Sequence, residues 1–231
     1  MNDLLQSILL FHTKLMNQYD RLFEIGGPII IVLLTLSIIS LAIIILKFSQ
    51  FFYNDLYRTV SIADSDLNLL HDSSKALIQN LSNSRHPAAV MSVVIIKEIG
   101  KHKPDSLSLR EEILRIGTKE VNRLKAGLWM LELIAIISPL IGLLGTVLGM
   151  VDAFKALEIA GRQVDPSILS SGIWQALITT AAGLSVAIPS VFIFRWMESI
   201  IASTSEQMED VAGRLLYKFN GKKNSENKLV T

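Results

Sequence analysis

Cysteine is absent from these 231 residues, which removes disulfides, thiolate metal sites and thiol nucleophiles together. A surplus of charge is missing as well. Lys and Arg total 22 against 21 Asp and Glu, and no basic patch is interleaved with aromatics, so nothing here marks a nucleic-acid binder. The histidines, His12, His71, His86 and His102, are scattered without metal-ligand spacing. Glu98, Glu111 and Glu112 have no histidine or second carboxylate placed to work with them and read as a solvated face. With no nucleophile–base pair and no ligand cluster, the pattern is not that of an enzyme, and no cofactor is called for. Inverted repeats and paired broken helices, the marks of a substrate-carrying transporter, are also missing.

What the chain has is apolar length. Three runs carry no charge: Ile25 to Leu46, Leu133 to Val151 and Pro166 to Phe194. Each exceeds the ~18 residues that mark a transmembrane helix. The expected fold is therefore an all-α integral membrane protein with three transmembrane helices. The chain divides into an amphipathic N-terminal helix over 1–24, a first span over 25–46, a helical polar region over 47–131, a second span over 132–154, a short connection over 155–165, a third span over 166–195 and a tail over 196–231.

Within residues 1–24, Leu4, Leu5, Ile8, Leu9, Leu15, Tyr19, Leu22 and Phe23 recur at helical spacing, as in a helix lying at a membrane interface. A cleaved signal peptide fits poorly, because Asp3 stands where a basic region belongs. Gly26-Gly27-Pro28 opens the first span, which is expected to stop at Lys47. Its surface is Ile and Leu nearly all round and suits a lipid-facing helix. Phe51, Phe52, Tyr53 and Tyr57 suit an interface belt. Helical patterns follow around Asp64–Gln79 and Pro87–Ile99, then a turn at Lys101-His102-Lys103-Pro104. Ser108 and Glu111 have capping-box spacing, from which one helix of ~45 residues is expected to run into the second span. The tail is expected to be helical and to fray from about Gly221.

The second and third spans each carry a face of small residues with a threonine inside it. Gly142, Thr146, Gly149 and Ala153 share one; Ala176, Thr180, Gly183 and Ala187 share the other. Such faces let helix backbones approach closely. Two readings stay open. The faces are packing seams, with each threonine bonded back to its own helix, or they line a narrow interior shared by several subunits, with Thr146 and Thr180 presenting hydroxyls to it. Gly145 belongs with Gly149 as a position where bulk would block assembly. Pro139 and Pro189 lie inside their spans and tend to kink them, with Ser138 and Ser185 as candidate partners for the carbonyls they free. Basic residues gather in the polar region and the tail (Lys47, Arg58, Lys119, Arg123, Lys125, Arg195, Arg214), which places both in the cytoplasm and the N-terminus on the other side.

The stretches Pro139-Leu-Ile-Gly-Leu-Leu-Gly-Thr-Val-Leu-Gly-Met-Val-Asp-Ala-Phe154 and Gly172-Ile-Trp-Gln-Ala-Leu-Ile-Thr-Thr-Ala-Ala-Gly-Leu-Ser-Val-Ala-Ile-Pro189 resemble the MotA/TolQ/ExbB proton-channel family. Three spans rather than four place the chain in the ExbB/TolQ branch. The resemblance implies a homo-pentamer in a bacterial inner membrane. The pentamer surrounds a two-copy, single-span partner of the ExbD/TolR type whose helix carries an aspartate. The output passes through a TonB- or TolA-like protein to outer-membrane transport or to a Tol–Pal-type envelope system. Thr146 and Thr180 then face the partner's aspartate. Gln175 stands where the family often has a glutamate; with Thr179, at i, i+4, it offers oxygen atoms, which leaves a sodium-coupled variant beside the proton-coupled one. Glu132 marks the cytoplasmic end of the second span, as a conduction-mouth carboxylate or as a plain interfacial charge. A passive assembly scaffold is the rival function.

Overall fold

The computed structural model describes residues 2–56, 78–79, 81–102, 106–161 and 166–229. Among them every regular element is helical: α1 (Asn2–Tyr53), α2 (Pro87–His102), α3 (Ser106–Lys125), α4 (Leu128–Ala160) and α5 (Pro166–Leu229). Three stretches are long and apolar enough to cross a membrane: Gly26–Tyr53, Leu128–Ala160 and Leu169–Lys218. The chain folds as two compact units, one made of Met1–Ile44 with Leu128–Phe194 and the other of Ile45–Gly127 with Arg195–Thr231.

The first unit holds the apolar helices. Only 22%, 33% and 28% of the most apolar window of each span is buried within the chain. Much of the remainder, including Ile38, Leu140, Leu143, Leu177 and Ile188, is exposed. Apolar surface on this scale is stable only against lipid or other protein. At Gly26 (φ −153°) and Gly27 (φ 63°) the backbone of α1 leaves helical geometry, and Pro28 starts the next helical stretch. Gly27 takes a left-handed φ that L side chains rarely adopt.

The second unit has a conventional core. Ala88, Met91, Ile95 and Ile96 of α2, Leu109 and Ile113 of α3, and Met208, Val211, Ala212 and Leu215 of α5 form one buried cluster. All follow the i, i+3, i+4, i+7 rhythm of a one-sided helix. Burying each large aliphatic side chain stabilises by about 1.5–3 kcal/mol. The outer faces carry short-range ion pairs such as Arg115–Glu112 and Arg214–Asp210 (3.0 Å).

Several expectations are corrected. The first span's helix does not stop at Lys47 but continues to Tyr53. Lys47 is buried, its ammonium donating to Leu124 O (2.9 Å) and Gln50 Oε1 (2.7 Å), so the charge is satisfied inside the helix rather than ending it. Phe51 is fully buried and is core, whereas Phe52 and Tyr53 are exposed; Tyr57 and most of Asp64–Gln79 lie outside the described residues. Of the turn expected over Lys101-His102-Lys103-Pro104, Lys101 and His102 are still helix, since α2 runs to His102, and Lys103 and Pro104 lie outside the described residues. Ser108 cannot cap α3, which already begins at Ser106. The helix does not run unbroken into the second span: Ala126 and Gly127 form a turn, with Gly127 at φ 81°. Gly221 does not end the tail helix, which extends to Leu229.

Candidate functional site

Helices α4 and α5 meet along their small residues. A Cβ added to Gly142 would lie 2.9 Å from Thr179 O and 3.3 Å from Gly183 Cα. One on Gly149 would lie 3.3 Å from Ala176 N, and one on Gly183 only 2.6 Å from Ser138 O. Gly142, Gly145, Gly149 and Ala153 of α4 are buried, as are Ala176, Thr179, Gly183 and Ala187 of α5. The pairs Gly142–Gly183, Gly145–Thr179, Gly149–Ala176 and Ala153–Gly172 run in opposite directions along the two helices, which are therefore antiparallel in contact. This is backbone against backbone, the geometry that small residues permit where lipid supplies no hydrophobic drive.

The threonine at the centre of this seam is Thr179, not Thr146 or Thr180. Thr179 is 1% exposed, and its hydroxyl donates to Ala176 O at 2.7 Å. Thr146 and Thr180 are half-buried on the margin. The Thr146 hydroxyl donates back to Leu143 O (2.6 Å), while the Thr180 hydroxyl crosses the seam to Gly142 O (3.3 Å). Each follows a seam residue, Gly145 or Thr179, by one position, about 100° around its helix. In antiparallel helices that same rotation carries both threonines to one flank of the seam, at one level.

Helix α1 occupies the other flank. A Cβ on Gly26 would meet Thr179 Cγ2 at 3.2 Å, and one on Gly27 would meet Gln175 Nε2 at 3.4 Å. Ser40 and Ser190 join α1 to α5 through their hydroxyls at 2.8 Å. Gln175 precedes Thr180 by five residues, which is about 140° around α5. Helix geometry thus sets Thr146 and Thr180 on one flank, whereas Gln175 lies apart from them, against the break in α1. Glu132 is exposed near the start of α4.

Pro139 and Pro189 lie inside helices that continue through them. The expected serine partners do not serve the carbonyls the prolines free. Ser138 donates to Ile134 O (2.7 Å) and Ser185 to Ala181 O (2.8 Å), whereas the freed carbonyls are those of Ala135 and Ser185.

Chemically, the flank that carries Thr146 and Thr180 offers two hydroxyls among apolar neighbours. A hydroxyl can relay a hydrogen bond but does not hold or release a proton near neutral pH. Between Leu133 and Val151, and between Pro166 and Phe194, the chain has no titratable carboxylate, so neither run takes up a proton on a carboxylate of its own. Among the described residues no group of His, Asp or Glu is arranged to hold a metal ion. The sequence reading missed the contacts of Gly26 and Gly27, the Ser40–Ser190 bond and the buried Lys47. Isolated polar residues within apolar runs were the available signal for the serines.

Comparison with known proteins gives concordant results. The profile of the MotA/TolQ/ExbB proton channel family matches residues 76–210. The biopolymer transport protein exbB1 of Vibrio cholerae is 39% identical over 109 residues, 47% of this chain and 46% of that protein. A putative biopolymer transport protein, ExbB-like 1, of Synechocystis is 30% identical over 209 residues, 87% of this chain and 77% of that protein. The Tol-Pal system protein TolQ of Haemophilus influenzae is 32% identical over 176 residues, 72% of this chain and 76% of its own.

Proposed function

This chain belongs to the MotA/TolQ/ExbB proton channel family, and from that premise we propose that it is the pentameric subunit of an ion-driven motor in a bacterial inner membrane. Five copies surround two single-span partners of the ExbD/TolR type, each with an aspartate in its helix. The work leaves through a TonB- or TolA-like protein, toward outer-membrane transport or a Tol–Pal-type envelope system. The N-terminus faces the periplasm and the C-terminus the cytoplasm, as the distribution of Lys and Arg favours.

The observation that carries this reading is that helix geometry sets Thr146 and Thr180 on one flank of the α4–α5 seam while the break in α1 lies against the other, at Thr179 and Gln175. A partner helix laid there meets two hydroxyls at one level in a wall that is otherwise apolar. Each hydroxyl proton is already given to a backbone carbonyl, Leu143 O or Gly142 O, so it serves a carboxylate only by turning away from that carbonyl, while its oxygen can accept from a protonated carboxyl. An unpaired charge in hydrocarbon is expensive enough to draw such donors. One charge crossing 100 mV releases ~2.3 kcal/mol. That is enough to break one or two hydrogen bonds of ~1 kcal/mol each.

The rival is a passive scaffold, favoured by the fact that the Thr146 hydroxyl is already bonded to its own helix. Replacing Thr146 or Thr180 with Val separates the two. The motor reading expects both variants to assemble normally and to lose output driven by the proton-motive force. The scaffold reading expects both to keep it. Exchanging Na⁺ for K⁺ in the medium leaves output unchanged if the ion is the proton and abolishes it if the ion is sodium.

A further inference from the structure

His86 opens α2 in an uncommon way. Val90 N–H donates to the His86 carbonyl (3.1 Å), the first bond of the helix, and Ala88 N–H donates to His86 Nδ1 (3.2 Å). The imidazole therefore does what a Ser, Asp or Asn oxygen usually does at the N-cap, and Pro87 follows at the position where proline is favoured. The His86 N–H is held in turn by Ser84 Oγ (3.2 Å). The ring is completely buried. Because Nδ1 accepts, the neutral ring carries its proton on Nε2. That Nε2 is buried and has no hydrogen-bond partner among the described residues.

A second proton changes the geometry's meaning. It must go to Nδ1, which then becomes a donor facing the Ala88 N–H, another donor. The cap is lost and a charge is left in a buried place. Burial accordingly pushes the imidazole below its ordinary range, and Asp55, on the turn after α1, pulls the other way. Asp55 is the charged group acting on the ring from another element. Arg85, next in sequence, is turned toward Tyr53, its guanidinium 4.1 Å over that ring. On α2 itself, the Ser92 hydroxyl is given to Ala88 O (2.6 Å).

We propose that His86 is an acid-sensitive latch on α2: neutral, it caps the helix; protonated, it cannot, and the first turns of α2 lift from the apolar cluster they share with α3 and α5. Ala88, Met91 and Ile95 belong to that cluster, so the second unit loosens with them. The functional consequence, a loosening when the compartment that receives the ions turns acidic, rests on the motor reading given above; the latch itself does not.

Hydrogen–deuterium exchange of the full chain in lipid nanodiscs, corrected for the intrinsic pH dependence of exchange, tests this between pH 7.5 and 5.5. One proton linked to opening gives at most about tenfold per pH unit below ~6.5. In the wild type, peptides over Pro87–Ile96 are expected to lose several-fold to tenfold protection relative to α3. In His86→Asn, where an amide oxygen caps without titrating, and in His86→Asp, the ratio is expected to stay flat. A flat wild-type ratio, or the same fall in the variants, overturns the latch. Should the variants misfold, the ¹⁵N shifts of the wild-type ring decide: a proton on Nδ1 at pH 7.5 rules the latch out, and an Nε2–H tautomer that gives way to the charged ring as α2 opens upholds it. None of these readouts needs ion flow, so a failure here and a failure of the motor reading are separate results.

Discussion

A side chain on residue 145 and the side chain of Thr179 claim the same space: a Cβ on Gly145 falls 2.5 Å from Thr179 Oγ1. Gly145→Ala therefore forces Thr179 to shift, and Gly145→Leu is expected to part the helices. The firmer test is Gly183→Ala, whose added carbon meets a backbone oxygen, Ser138 O, at 2.6 Å, where no rotamer change gives relief. A loss of about 1–3 kcal/mol is expected, read as thermal unfolding in detergent. Gly213→Ala, with nothing within 4 Å of the new carbon, is the control and should stabilise its helix by up to about 1 kcal/mol.

Gly27→Ala tests the break in α1. At φ 63° and ψ −160° the position admits glycine and little else. The substitution is expected to cost about 1–3 kcal/mol even though Gln175 Nε2, at 3.4 Å, leaves room for a methyl group. Unfolding midpoints of Gly27→Ala and Gln175→Ala separate strain from crowding: if crowding were the cause, the double variant would recover.

Lys47→Met keeps an unbranched, apolar stem of similar length and deletes the ammonium. Leu124 O, among the last carbonyls of α3, then loses its side-chain donor, and Gln50 Oε1 loses its donor while Gln50 Nε2 keeps Arg123 O at 3.5 Å. The orphaned buried acceptor is expected to cost about 1–3 kcal/mol. Hydrogen exchange should localise the effect to the end of α3, at Arg123 and Leu124. Uniform loosening would contradict the capping role.

The acid side of the stability profile separates two groups. Arg115 holds the Glu112 carboxyl below its usual range by hydrogen bond and charge, so that pair favours the fold above the ordinary carboxylate pKa and fades as pH falls. The pair lies on the surface, however, and Glu112→Gln should leave the unfolding midpoint unchanged within error. His86 has its pKa depressed in the fold, so the unfolded chain binds more protons and stability falls with acidification from about pH 6.5. Melting curves at pH 7.5 and 5.5 should therefore show an acid loss that survives Glu112→Gln and shrinks in His86→Asn.

Much of this was readable in the sequence because it depends on long, charge-free runs. Ile25–Leu46, Leu133–Val151 and Pro166–Phe194 each fall within a helix long enough to span a membrane. The small faces were readable too, but not their centre. On a helical wheel Gly142, Gly145, Thr146 and Gly149 lie within about 100°, and only the partner decides which of them is buried. Contact with α5 selects Gly145 and leaves Thr146 at the edge. Helix ends were misjudged for a related reason. Hydropathy reports where the apolar stretch stops, and at Lys47 the helix carries on because the ammonium finds acceptors on α3. The Ala126–Gly127 turn escaped notice because a lone glycine costs a helix only ~1 kcal/mol, and its left-handed φ is visible only in the backbone.

The joint between α4 and α5 has a mechanical corollary. Where long side chains interdigitate, a push on one helix is partly absorbed as rotamers readjust. Here, Thr179 apart, glycine and alanine leave little to readjust, so a displacement of one helix is expected to pass to the other with little loss. The two are expected to move together as one stiff plank, and the glycine pair of α1, where helical geometry is broken, offers a place to bend beside it.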